Sequence, residues 1–364
     1  GVDFQALADE AYAAATAWTG TPRDIYVIMV DFPDLTGQPA DPVAFSNSLN
    51  TTVSQQFWEM SYEKTHIVAT VNTNTYRMPN PSGYYTNYST FIYLDATALA
   101  EADGVDLSSY ETVCVLFPYV ADIWWSGFGS IGLEKMFLNG NTSPYVVTHE
   151  LGHNYGSSHA SSWNVASGNP VDPAGTFTQY GDFMDIMGVG ALPAGHFNAW
   201  HKRNIGWFEA DNWESVTNSG TYRIFRSDHQ QTTGLLRGLE IDKNGSDQYW
   251  LGLRQEYPNY DTFSRGAYLL WKKSGDGRSY LLDITPLSAG GKADGGLALG
   301  QTYSDAAAEV HITPTARGGQ TPNEWMDITV NLGSFAGNNP PVAALNIPTN
   351  VAMQTSVLLS VTAT

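Results

Sequence analysis

The residues best suited to chemistry lie in the stretch Val146-Val-Thr-His-Glu-Leu-Gly-His-Asn-Tyr-Gly-Ser-Ser-His159. His149 and His153 are four positions apart, about one helical turn, so both imidazoles lie on one face and can share an ion. Glu150 is turned by about 100° from His149. That offset keeps its carboxylate off the ion but near a water held by it. Gly156 can take a positive φ and end the helix abruptly. The chain then bends back and His159 arrives as a third ligand. Three neutral imidazoles leave the fourth tetrahedral position of a zinc ion open for water, which is the catalytic form of such a site. Zinc lowers the pKa of that water from roughly 16 toward about 7 and polarises a carbonyl. Glu150 is then the candidate general base for hydrolysis of a peptide bond, with no serine or cysteine nucleophile needed.

A three-histidine motif of this pattern calls for a methionine on a later turn beneath the metal. Met187, in Asp185-Ile-Met-Gly188, follows His159 by 28 residues. It is expected as a hydrophobic floor rather than a ligand. Met184 is the alternative, but the glycine after Met187 favours a tight turn there; ordinary core packing is the competing reading of either. His196 and His201 are five apart, do not share a helix face, and are expected to be structural.

These residues need a scaffold. Asp24–Phe32, His66–Val71 and Thr112–Tyr119 are apolar and β-branched and predict strands. Phe45, Leu49, Val53, Phe57 and Met60 form the apolar stripe of a helix over Pro42–Glu63. Leu94–Ala102 predicts a second helix, and Gly-rich Ser126–Gly140 a loop running into an edge strand. From about Trp213 the texture changes to short strands separated by turns such as Lys243-Asn-Gly245, the pattern of a β-sandwich. The expected class is therefore α+β. A catalytic domain over 1–212, with a twisted mixed sheet and an active-site helix, precedes an all-β sandwich-like domain over 213–336. Residues 337–364 are expected to be a linker, Gly337-Asn-Asn-Pro-Pro341, and the start of a truncated immunoglobulin-like module.

Composition narrows the function. The net charge is −19, so a phosphate backbone would be repelled and nucleic acid is excluded as a partner. No apolar run approaches the ~20 residues that span a bilayer. The single cysteine, Cys114, sits in an apolar run and is expected in the core. Only 15% of residues are charged, which suits an extracellular protein.

His149-Glu-Leu-Gly-His-Asn-Tyr-Gly-Ser-Ser-His-Ala160, Tyr180-Gly-Asp-Phe-Met-Asp-Ile-Met-Gly188 and His196-Phe-Asn-Ala-Trp-His-Lys-Arg-Asn-Ile-Gly-Trp207 together resemble the gametolysin-type metallopeptidases of the metzincin clan. The resemblance covers roughly Arg23 to Gly333. It implies a secreted, extracellular zinc endopeptidase acting on proteins or glycoproteins. His149, His153 and His159 match the ligand positions, Glu150 the general base and Met187 the methionine turn. Where some metzincins carry a tyrosine that helps hold the transition state, this chain has Val189; Tyr155, Tyr180 or a solvent-held group are the alternatives. The resemblance also implies a substrate extended along an edge strand, expected at Ser130–Leu138, and a pocket walled by Val189–Leu192, with Val189 and Leu192 as substrate-binding residues. Acidic loops such as Ser274-Gly-Asp-Gly277 and Asp294-Gly-Gly296 make calcium a second candidate ion, although none matches an EF-hand. A monomer is expected. The competing function is a matrix- or glycan-binding adhesin module with a residual metal site.

Overall fold

Strand β1 (Arg23–Asp31) is almost wholly buried because apolar layers cover both of its sides. In the computed structural model, which describes residues 20–86, 89–190, 195–229, 234–254, 263, 266–334, 343–346 and 360–363, Ile25, Val27 and Met29 face one core. Tyr26, Ile28 and Val30 face another. The strand lies in a six-stranded sheet ordered β2 (Ile67–Val71), β1, β4 (Thr112–Phe117), β6 (Lys135–Asn139), β5 (Gly127–Gly129), with β3 (Tyr76–Arg77) also paired to β1. All its ladders are parallel except that of β5, which runs antiparallel at the edge. Parallel strands covered on both faces read as continuous apolar runs, and the buried Cys114 sits in one of them.

The expected helix over Pro42–Glu63 is α1 (Pro42–Ser48) and α2 (Ser54–Met60), joined by a π-helical turn at Leu49–Val53. Phe45, Leu49, Val53, Phe57 and Met60 are all buried against the first core. Spacings of four overshoot a 3.6-residue turn by about 40° each. A turn closed by wider i→i+5 bonds absorbs that drift and keeps the stripe on one face. Helix α3 (Ser89–Ala102) covers the opposite side of the sheet through Ile92, Ala96 and Ala100.

A second sheet has seven strands ordered β8 (Thr176–Thr178), β7 (Ala160–Asn164), β14 (Ser279–Leu282), β13 (Ala267–Lys272), β12 (Gln248–Leu253), β11 (Gly238–Asp242), β9 (Trp213–Val216). Alternation along its strands builds two cores. Tyr249, Leu251, Leu269, Trp271, Tyr280 and Leu282 meet a four-stranded sheet, β10 (Gly220–Phe225), β17 (Trp325–Leu332), β16 (Val310–Gly318) and β15 (Tyr303–Asp305), through Ile224, Ile312, Met326 and Ile328. The strand spacing after Trp213 predicts strands that are present, but the seven-stranded layer also takes in β7 and β8 from before residue 213. Trp250, Tyr268, Leu270 and Leu281 face the other way, onto Met184, Ala199 and Phe208.

The class is mixed α and β, but a boundary at 212/213 does not separate the sheets. β7 begins directly after His159 and pairs in parallel with β14, so the two halves share one hydrogen-bonded ladder. The texture of the sequence changes near Trp213, whereas the pairing partner of β7 lies more than a hundred residues away and leaves no local signal. Beyond 334, β18 (Ala343–Asn346) and β19 (Ser360–Ala363) pair antiparallel; the remainder of the expected linker and module lies outside the described residues. Among the described residues no helix is long and apolar enough to cross a membrane.

Candidate metal centre

Helix α4 (Pro144–Asn154) carries the first two histidines. Ser143 caps its N-terminus with a hydrogen bond from Val146 N–H, and Pro144 occupies its first turn. It ends where expected: Gly156 has φ +105°, and its N–H donates to His153 O at 2.8 Å. The reversal brings His159 to His149 and His153. The three rings offer ligand nitrogens that all lie within 4.8 Å of one another, so the cluster can hold a metal ion.

The donor set fits. Ile186 O lies 2.8 Å from His149 Nδ1, and Ser157 O lies 2.7 Å from His153 Nδ1. A carbonyl only accepts, so both Nδ1 atoms carry protons and both Nε2 atoms are bare. His153 Nε2 and His159 Nε2 are 3.1 Å apart. Two nitrogens at about 2.1 Å from one tetrahedral ion stand about 3.4 Å apart. Gln179 places its Nε2 3.0 Å from His159 Nδ1; a half-turn of the carboxamide sets its oxygen there instead, to accept from Nδ1–H and leave His159 Nε2 bare. Burial, followed by neighbouring imidazoles, lowers the pKa of His153 to about 4 and of His159 to about 3, and burial lowers that of His149. All three are therefore held in the neutral form that binds a metal.

Glu150 is buried on the side of α4 that faces β5, and its Oε2 accepts from Gly129 N–H at 2.6 Å. The approach depends on glycine. A Cβ on Gly127 would stand 2.6 Å from Glu150 Cγ and 2.7 Å from its Oε1. Burial pushes the Glu150 carboxyl up to about 8, against the pull of the Gly129 N–H. A divalent cation among the histidines acts in the opposite direction and favours the carboxylate.

Met187 is fully buried beneath the helix. A Cβ on Gly152, between the two helical histidines, would overlap its sulfur. The turn that carries it is fixed by Asp185. Asp185 accepts from Met187 N–H at 2.7 Å and Asn198 N–H at 2.7 Å, and lies 3.0 Å from His201 Nδ1. Ile186 O orients His149, and Met187 O accepts from Ala160 N–H at 3.0 Å. Asp182 and Asp185 each accept from the N–H two residues on, the side-chain turn typical of aspartate, and each of those residues is a methionine. Arg254, from the end of β12, braces the same turn by donating to Met184 O at 2.9 Å. His201 is structural, as expected.

The expected edge strand is corrected. Ser130–Leu138 is not the edge strand: residues 131–134 form a turn, and β6 lies between β4 and β5. The edge beside α4 is β5. Ser126 O accepts from Asn139 N–H and Ser130 N–H donates to Lys135 O, so by alternation the main-chain groups of Gly127 and Gly129 point away from β6. Asn154 holds the intervening turn by donating to Ser130 O, Leu133 O and Lys135 O. Val189 is exposed beyond the methionine turn, and Leu192 lies outside the described residues. Of the two tyrosines, Tyr155 is in the core, 2.8 Å from Thr65 Oγ1, under Arg23. Tyr180 stands at the site, its ring centroid 4.1 Å from that of His159 and 5.7 Å from that of His149, on a backbone with φ +61°. A non-glycine residue held there is strained, a feature that clusters at functional sites. Neither acidic loop gathers a calcium ligand set: Asp276 is bonded to Tyr280 and Arg278, and Asp294 to Ser288. Among the described residues the three histidines are the one such group.

Compared with known proteins, the chain matches no family model and no curated protein sequence.

Proposed function

We propose that this chain is a secreted zinc endopeptidase of the metzincin kind, acting on extracellular proteins or glycoproteins. The observation that carries the reading is the convergence of His149, His153 and His159 beside a buried Glu150 held by Gly129 N–H. Three imidazoles disfavour calcium and magnesium, which take oxygen ligands, and suit zinc. Zinc bound there supplies Lewis acidity, polarising a peptide carbonyl and acidifying a water.

The remaining work falls to the chain. The outward main-chain groups of Gly127 and the outward carbonyl of Gly129 offer an extended substrate a strand edge beside the helix, while Gly129 N–H stays with Glu150. The Glu150 carboxylate takes the water's proton and returns it to the leaving amine. Its burial keeps bulk water from competing for that proton. The Tyr180 hydroxyl is placed to donate to a developing oxyanion, whereas that of Tyr145, whose ring centroid is 6.2 Å from that of His149, donates to Gly188 O at 2.7 Å.

The test is metal analysis with casein or peptide cleavage by wild type and Glu150→Gln. The expected outcome is one zinc per chain in both and a loss of about 10²–10⁴ in rate in the variant. Removing zinc with a chelator should abolish cleavage and restoring it should recover cleavage. A zinc-loaded wild type that cleaves nothing in a broad peptide library would favour the adhesin function instead.

A further inference from the structure

The strands that bring His159 into place also bring an arginine and an aromatic ring to its rim. β14 pairs with β7 in the register Ser279↔Ala160, which sets residue 278 level with residue 159. The closeness is visible at Gly277, where a Cβ would stand 2.5 Å from Ser158 Oγ. On the other flank of β7, β8 pairs Phe177 with Trp163. Arg278 reaches across and lies over Phe177, its guanidinium carbon 5.2 Å from the ring centroid. Phe177 is 46% exposed and the Arg278 side chain 38%. Stacking fixes the plane of the guanidinium while leaving its donors accessible.

The local partner does not use the whole fork. Arg278 NH1 meets Asp276 Oδ1 at 3.3 Å, and Asp276 also accepts from Arg278 N–H at 3.0 Å and from the Tyr280 hydroxyl. The other edge of the guanidinium has no carboxylate partner among the described residues. The chain carries a net −19 with only 17 basic residues, and Arg23, Arg237, Arg254 and Lys202 are buried. An exposed, pre-oriented cation beside the histidines therefore stands out from a surface that repels anions.

We propose that Arg278, laid on Phe177, forms a subsite for the carboxylate of an aspartate or glutamate side chain of the substrate, on the His159 side of the metal centre. The fork donates two parallel N–H···O bonds to the carboxylate, a geometry that lysine cannot reproduce. This inference rests on the peptidase reading and gives it a substrate class: chains with an acidic residue near the scissile bond.

The test uses fluorogenic peptides that differ only by Glu or Gln at each position flanking the cleaved bond, with zinc-loaded wild type, Arg278→Gln, Arg278→Glu and Phe177→Leu. At one position wild type should favour Glu about five- to tenfold in kcat/KM, as a partly exposed bidentate pair allows, with the difference carried by KM. The ratio should fall to about one in Arg278→Gln, invert in Arg278→Glu and be intermediate in Phe177→Leu, with melting temperatures confirming that each variant folds. A wild-type ratio of one at every position, or a ratio that survives Arg278→Glu, overturns the subsite and leaves the peptidase reading standing. If wild type cleaves none of the peptides, the peptidase reading fails instead. Calorimetric binding of the same Glu and Gln peptides then decides the subsite: Arg278-dependent preference for Glu upholds it, and equal binding overturns it.

Discussion

Replacing Gly127 by alanine should disable Glu150 without touching a metal ligand. The new methyl would stand 2.6 Å from Glu150 Cγ, 2.7 Å from Oε1 and 2.9 Å from Cδ, against about 3.4 Å for ordinary contact. A shift of about 0.8 Å is therefore needed. Glu150 is only 7% exposed, so the carboxylate swings off Gly129 or β5 is driven outward. Either movement stretches the 2.6 Å bond from Gly129 N–H. Misplacing a reacting group by about 1 Å costs on the order of 10²-fold. Loss of a hydrogen bond to a charged group, about 1.5–3 kcal/mol, gives a similar factor. The expected fall in kcat/KM is thus about 10- to 100-fold.

The pH profile separates this cause from general damage. The Gly129 N–H lowers the Glu150 pKa by favouring the charged form. Losing it raises that pKa, so the acid limb of kcat/KM should move to higher pH. Zinc content should stay at that of wild type, because the three nearest atoms to the new methyl all belong to Glu150. Gly83→Ala, where nothing lies within 4 Å of the added Cβ, is the control. Full activity with an unmoved acid limb in Gly127→Ala would refute the claim that β5 positions the base. Zinc loss would refute the claim that the perturbation stops at Glu150.

Two further outcomes follow from buried carboxylates. Asp185→Asn should destabilise by about 1–3 kcal/mol, since a buried acceptor of two N–H groups and an imidazole becomes half donor. Because the same turn orients His149, zinc affinity should also fall about 10- to 100-fold; an unchanged melting temperature and affinity would argue against it. At the end of β1, burial raises the Asp31 carboxyl, but hydrogen bonds from Arg77 and Gly37 outweigh it and hold the pKa below the ordinary 3.8. The ionised form therefore stabilises the fold above that value, and the contribution is lost as pH falls through the folded pKa. Asp31→Asn should cost about 1 kcal/mol in urea unfolding at pH 7, discounted because Arg77 is half exposed. The difference should vanish in strong acid, and its persistence there would contradict the assignment.

What was legible in the sequence was what repeats or sits within one helix turn. The four-residue spacing of His149 and His153 fixes a common face, and Gly156 marks the end of the helix that carries them. The stripe from Phe45 to Met60 declared its buried side, though not the π turn that keeps the stripe straight. Partners joined across the chain were not legible. Gly127 and Gly129 read as loop glycines until α4 lies against them, where they are the gap that admits Glu150. Asp185 reads as one more of the chain's 36 acidic residues, until Asn198 and His201 fold onto it. The shared ladder of β7 and β14 has the same origin and a larger consequence. His159 is the residue that enters β7, and β7 is held by a strand from the β-rich half. Arg254 from that half braces the methionine turn. The β-rich half is therefore a wall of the metal centre, and a chain cut at residue 212 would lose the support that places His159.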